Sequence, residues 1–242
     1  MDGAERLSTV FAGLSHSELL QHKLHGFTKA GGSRPAVWLL ERDGFKAVLK
    51  DYHACASAFG RTIGPLLVRR ETRALAQLDG IRGVPRLLRV VDSHSFLMEH
   101  IAATRWKRRL GENQPRPDFA RLAALVAEMH ARGIAHCDMR SASNILIAAD
   151  GEPYLVDFVA HFRRGAGWNP LRNWLFGQFC RADDSAVAKL KSRIAPDLLE
   201  PAERAMLESR SGLDRLARFI GGSVRNLSRG LLAGKRGTGR EG

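Results

Sequence analysis

Three side chains stand out for the chemistry they can do together: Asp138, Asn144 and Asp157. They lie in one segment that reads Met129-His130-Ala131-Arg132-Gly133-Ile134-Ala135-His136-Cys137-Asp138, then Met139, Arg140, Asn144-Ile145-Leu146-Ile147, a turn at Asp150-Gly151, and Tyr154-Leu155-Val156-Asp157-Phe158. The two carboxylates sit at the mouths of short apolar runs, with the amide between them in sequence. One carboxylate, Asp138, can orient an attacking hydroxyl and accept its proton. The amide oxygen of Asn144 and the carboxylate of Asp157 are hard oxygen ligands of the kind Mg²⁺ takes. Such a cation offsets the charge of β- and γ-phosphates, so the set is suited to phosphoryl transfer.

The surrounding pattern supplies elements to hold these groups. Asp118 caps a strong helix over Phe119–Ala131, in which Leu122, Leu125, Val126 and Met129 share one face, and Gly133 ends it. The apolar runs on either side of Asp150-Gly151 predict a hairpin. In the first half, residues 4–25 read as one or two short helices, with Leu7, Val10, Phe11 and Leu14 at helical spacing, followed by a glycine-rich stretch from Gly26 to Ser33. Ala36–Glu41 and Lys46–Tyr52 flank Asp43-Gly44, a hairpin signal. A helix is expected over Leu66–Leu78, before Gly80, and a second strand pair over Leu87–Val91 and Phe96–Ile101. Residues 102–117 form a polar connector closed by Pro115 and Pro117, and the chain after Trp168 reads as helices to about Leu232. A strand-rich half followed by a helix-rich half predicts an α+β architecture of two lobes.

At His136-x-Asp138 and Asp157-Phe158-Val159 the sequence resembles the protein-kinase-like superfamily, whose catalytic loop carries His-Arg-Asp and whose metal-binding turn carries Asp-Phe-Gly. The run Met129-His130-Ala131-Arg132-Gly133-Ile134 is similar to the one that leads into that loop. The resemblance implies a strand Lys and a helix Glu, and Ala47-Val48-Leu49-Lys50 and Arg70-Glu71-Thr72 supply them. It implies that Lys50 holds ATP phosphates braced by Glu71, that the backbone of Gly31, Gly32 and Ser33 cradles phosphate, and that the Glu99 carbonyl and Ile101 N–H grip adenine beside Met98. Arg140, two residues after Asp138, is placed to touch the γ-phosphate. ATP and Mg²⁺ are the implied cofactors.

The sequence departs from the family pattern at five places. No GxGxxG is present. The loop from Asp138 to Asn144 is one residue longer than usual, which puts Ser143 at the expected metal position and leaves Ser143 and Asn144 as alternatives, Asn144 being favoured. Val159 replaces a glycine, and Cys137 replaces the Arg that would pair with an activation-loop phosphate. Residues 160–168 are too few for a long activation loop, and Ala195-Pro196-Asp197 reads as a helix end. These traits look like the small bacterial members, the RIO-type and lipopolysaccharide-core sugar kinases. The implied acceptor is a Ser/Thr of a protein, or alternatively a lipid-linked sugar. A pseudokinase that keeps the fold as an interaction module is the non-enzymatic alternative.

Composition narrows the setting. The chain has 242 residues with a formal net charge of +13, enough length for a real core and an excess that calls for an anionic partner. Residues 210–242 hold eight Lys+Arg against two acids, and 210–233 form an amphipathic stripe with Leu213, Leu216, Ile220, Val224, Leu227 and Leu231 opposite Arg215, Arg218, Arg225 and Arg229. This helix fits an anionic membrane surface or packs on the second lobe. Arg105-Trp106-Lys107-Arg108-Arg109 is a second basic run, either substrate-facing or solvated. No aromatic-rich basic motif favours nucleic acid. Cys55, Cys137 and Cys180 have no metal or disulfide spacing, and His16, His22 and His25 read as a solvated surface. A cytoplasmic protein is expected, peripheral at the inner face of a membrane if the basic helix binds lipid rather than the second lobe. The expected division is a helical extension at 1–25, an ATP-binding lobe at 26–101, a catalytic lobe at 102–209, the basic helix at 210–233 and a disordered tail at 234–242.

Overall fold

The computed structural model describes residues 3–29, 31, 34–53, 55, 57–106, 117–140 and 142–208. Of these, residues 3–76 and 85–100 form one unit, and residues 77–84 and 101–208 form another. Gly32, Ser33, Lys107–Arg109, the basic helix expected at 210–233 and the tail at 234–242 lie outside the described residues.

The first unit begins with two helices, α1 (Gly3–Val10) and α2 (His16–Gln21). α2 is fixed at its start by a reciprocal cap. Ser15 Oγ accepts from Glu18 N at 3.3 Å, and the Glu18 carboxylate accepts from Ser15 N at 2.7 Å. The strands are β1 (Lys23–Thr28), β2 (Ala36–Arg42) and β3 (Phe45–Asp51). After helix α3 (Ser57–Gln77) come β4 (Leu87–Asp92) and β5 (Ser95–Glu99). They make a five-stranded antiparallel sheet in the order β1-β2-β3-β5-β4. Asp43 and Gly44 both have positive φ, 52° and 79°, as the tight turn between β2 and β3 requires. Phe11, just past α1, and Leu19 of α2 pack on Leu40, Ala47, Leu49 and Leu97 of the sheet to form the core.

Three expectations are corrected here. Residues 23–25 are strand, not helix, because β1 pairs with β2 from Lys23↔Leu40 to Thr28↔Val37. Gly26, expected in the glycine-rich stretch, lies within that strand against Trp38, and Lys23 Nζ sits 4.0 Å above the same ring. α3 begins at Ser57 rather than Leu66 and continues through Pro65.

The second unit contains β6 (Ala103–Arg105), α4 (Phe119–Ala131), β7 (Ile134–Ala135), β8 (Ile145–Ala148), β9 (Pro153–Leu155), β10 (Phe162–Arg163), α5 (Pro170–Ile194) and α6 (Pro201–Glu208). Asp118 caps α4 by accepting from Ala120 N and Arg121 N at 3.0 and 3.1 Å. β6, β8 and β9 form a three-stranded sheet, and β10 pairs with β7. Trp106, part of the expected basic run, is buried against Phe119 with ring centroids 6.0 Å apart. Among the described residues no helix is long and apolar enough to cross a membrane.

Gly83 is constrained twice over. Its φ is 98°, and a Cβ there would meet Leu125 Cδ2 at 2.6 Å and the Pro153 carbonyl oxygen at 2.9 Å. Gly80 has φ 81° but open space around it. Gly80→Ala should therefore cost only the left-handed penalty of about 1–2 kcal/mol. Gly83→Ala should cost clearly more, because backbone must also move. Urea denaturation of the two variants measures the difference, and equal losses would contradict the packing described.

Candidate active site

Lys50 is the sixth residue of β3 and Glu71 lies in the second half of α3. Lys50 Nζ donates to Glu71 Oε1 at 2.9 Å and to Oε2 at 2.7 Å. The two side chains are only 6% and 1% exposed. Taking both charges out of water costs several kcal/mol per ion, which their attraction hardly more than offsets. A pair this buried sets a position better than it adds stability. Gly31 bridges Arg34 through Gly31 N to Arg34 O at 3.3 Å and Arg34 N to Gly31 O at 2.9 Å. Glu99 ends β5, its N–H donating to Arg86 O at 2.9 Å. Ile101 opens the longer segment of the second unit, and its carbonyl accepts from Ala103 N at 2.8 Å.

In the second unit, Asn144 meets Asp138. Asn144 Nδ2 donates to both the Asp138 carbonyl and Asp138 Oδ2, each at 3.1 Å. Asn144 sits at the end of the 3-10 turn Ala142–Asn144 and is 6% exposed. Ser143 is exposed, and its Oγ lies 3.4 Å from Asn144 Oδ1. Nδ2 is committed to Asp138, and the amide oxygen accepts from Ser143 Oγ. Asp157 follows β9, is exposed, and adopts φ 66°, ψ 68°. A non-glycine residue in the left-handed region costs about 1 kcal/mol or more and is held there by its surroundings. The next residue, Phe158, is fully buried against His136, with ring centroids 4.8 Å apart.

Both backbone groups of Val156 stitch Asp157 to the loop. Val156 N donates to the Asn144 carbonyl at 2.9 Å, and the Val156 carbonyl accepts from His136 Nε2 at 3.1 Å. His136 Nδ1 accepts from Asp138 N at 3.4 Å, which assigns the proton to Nε2. Thus Asp138, Asn144 and Asp157 are assembled on one scaffold. The oxygens of Asn144 and Asp157 are a hard donor set that fits Mg²⁺. A cation held there would offset phosphate charge. Arg140 is exposed two residues past Asp138.

One residue essential to this arrangement escaped the sequence reading. Asp183, on α5 and 2% exposed, accepts from His136 N through Oδ2 at 2.7 Å and from Cys137 N through Oδ1 at 3.0 Å. Cys137 has φ 66°, so the carboxylate holds a strained turn. His130 Nε2 lies 3.2 Å from Asp183 Oδ2. Burial disfavours a charged His130, but its bonds to Asp183 and Cys180 outweigh burial and push its pKa up from 6.5 to about 9. The signal in the sequence was an acid on the apolar face of a helix, in helical register with Phe176, Phe179 and Val187.

Two outcomes follow from these charges. A His pKa raised in the folded state stabilises fully below pH 6.5, and that contribution is lost as pH rises through about 9. The melting temperature should fall over that window, and His130→Gln should flatten the fall. Glu71→Gln, which leaves Lys50 buried beside a neutral group, should cost about 3–5 kcal/mol. The double change Lys50→Met with Glu71→Leu should recover most of it in urea titrations.

No protein-family model matches the chain. The probable SapB synthase of Streptomyces coelicolor is 34% identical over 166 residues, which are 58% of this chain and 17% of that protein's length. The Rio2 kinase from Chaetomium thermophilum superposes with a TM-score of 0.54 at 16% identity, over 88% of this chain and 76% of that one. Its complex with ADP/Mg²⁺ and phosphoaspartate superposes with a TM-score of 0.53 at 17% identity, over 90% and 74%. At these identities the likeness is one of fold: the chain has a protein-kinase-like fold, with a strand-rich first part and a reduced helical second part.

Proposed function

We propose that the chain is an ATP- and Mg²⁺-dependent phosphotransferase that moves the γ-phosphate to a hydroxyl, the acceptor being a Ser or Thr of a protein. The observation that carries this reading is the Asn144–Asp138 contact. Asn144 Nδ2 donates to the Asp138 carboxylate at 3.1 Å, so the amide oxygen, which accepts a long 3.4 Å hydrogen bond from Ser143 Oγ, is the atom that would meet a cation. In this reading Asp138 orients the acceptor hydroxyl and takes its proton. Asn144 and Asp157 hold the cation. Lys50, steadied by Glu71, binds nucleotide phosphate together with the backbone of Gly31, Gly32 and Ser33. Glu99 and Ile101 supply backbone partners for adenine. Arg140 contacts the γ-phosphate and favours a protein acceptor.

A second acceptor has its own support. Trp168, Leu171 and Trp174 are 83%, 67% and 58% exposed. Arg163, Arg164 and Arg172 line a recess of about 390 Å³ with Trp168. Exposed indoles beside arginines suit an anionic lipid surface, and so a lipid-linked sugar as acceptor. That reading places the protein in the cytoplasm at the inner face of a membrane, aided by residues 210–233.

Transfer from γ-labelled ATP to cell protein and to purified lipopolysaccharide separates the acceptors. The wild type should label one of them with Mg²⁺ present. Asp138→Asn should lower the rate by about 10²–10⁴-fold with nucleotide affinity unchanged. If wild type and Asp138→Asn both bind ATP and are equally silent toward every acceptor, the enzyme reading is wrong and the pseudokinase reading replaces it.

A further inference from the structure

Three histidines and two aspartates from separate parts of the sequence meet at one end of the first unit's sheet. His16 opens α2, Asp51 ends β3 with His53 two residues beyond, and Asp92 ends β4 with His94 in the turn before β5. His16 therefore does not belong to a solvated surface, as its sequence spacing implied. His16 Nε2 lies 3.1 Å from Asp51 Oδ2, and the His16 and His53 rings are 4.4 Å apart. His53 Nε2 lies 3.1 Å from Asp92 Oδ2, and the His53 and His94 rings are 5.0 Å apart. The ligand-capable atoms of His16, Asp51 and His53 are all within 4.8 Å of one another, as are those of His53, Asp92 and His94.

The two aspartates are built alike. Asp51 Oδ1 accepts from His53 N at 2.9 Å, and Asp92 Oδ1 accepts from His94 N at 2.8 Å and from Ser95 Oγ at 3.0 Å. Each carboxylate is thus anchored by one oxygen and turns the other toward an imidazole. Asp51 is 4% exposed. His16 Nε2 is itself a buried nitrogen without a hydrogen-bond partner, although it lies 3.1 Å from Asp51 Oδ2. A buried polar atom in that condition calls for a missing partner. Ligands at about 2.0–2.2 Å from a tetrahedral Zn²⁺ stand about 3.4 Å apart, close to the observed approach.

We propose that His16, Asp51 and His53 bind a divalent transition metal of the Zn²⁺ class, with a water in the fourth position and Asp92 orienting His53. Imidazoles select such an ion over Mg²⁺, so this site is separate from the oxygen ligands Asn144 and Asp157. Bound metal joins the start of α2 to the end of β3, one residue beyond Lys50.

The test uses the full chain without an affinity tag, stripped with a chelator and titrated with Co²⁺ and then Zn²⁺. One equivalent of Co²⁺ should bind with visible tetrahedral absorption, and Zn²⁺ should displace it. Zn²⁺ should also raise the melting temperature, since the site exists only in the folded chain. His16→Ala and Asp51→Asn should each weaken binding by more than 100-fold, Asp92→Asn by about 10-fold, and His94→Ala not at all. Circular dichroism checks that each variant is folded, and His16→Ala alone decides if Asp51→Asn is not. Absence of saturable binding by the folded wild type overturns the proposal. So does wild-type affinity in His16→Ala, or loss of binding in His94→Ala.

Discussion

Successive side chains of a strand leave on opposite faces, and the first unit depends on that parity at residues 49, 50 and 51. Leu49 joins the core made with Phe11, just past α1, and Leu19 of α2. Lys50 reaches the other way, to Glu71 of α3. Asp51 returns to the first face and meets His16 at the start of α2. A slip of one residue would exchange all three destinations, burying a lysine among leucines. Pairing on both sides prevents it, with β3 matched to β2 from Ala36↔Asp51 to Arg42↔Phe45 and to β5 from Ala47↔Glu99 to Asp51↔Ser95. The tight Asp43-Gly44 turn sets the first of these registers.

The buried charges act as positioning devices. Lys50–Glu71 fixes an ammonium group on a strand, and Asp183 fixes the backbone of residues 136 and 137. Each carries a desolvation cost that apolar residues of the same size would avoid. What they give in exchange is geometry. The left-handed turns at Cys137 and Asp157 bracket the loop, and both are held by contacts outside themselves.

Much of this was readable wherever a signal is local. Asp-Gly pairs marked the hairpins, Asp118 marked the start of α4, and the order of Lys50, Glu71, Asp138, Asn144 and Asp157 led to the fold. β1 was missed because it is an edge strand with its residues mostly exposed, so it lacks the alternation that reveals a half-buried strand. The first turns of α3 were missed because Pro65 resembles a helix start. Asp183 and the His16–Asp51–His53 group were missed for one reason. Their partners are brought together by packing, at separations that no spacing rule covers.

The contact between Asp183 and the backbone of residues 136 and 137 spans 47 and 46 positions of chain. On a ribosome, residues 136–157 therefore emerge well before the carboxylate that shapes them. The loop stays unset while its support is still being made, and it is fixed only when α5 has formed and docked. A nascent chain, or a fragment cut ahead of residue 183, carries the whole loop in its sequence and lacks its conformation.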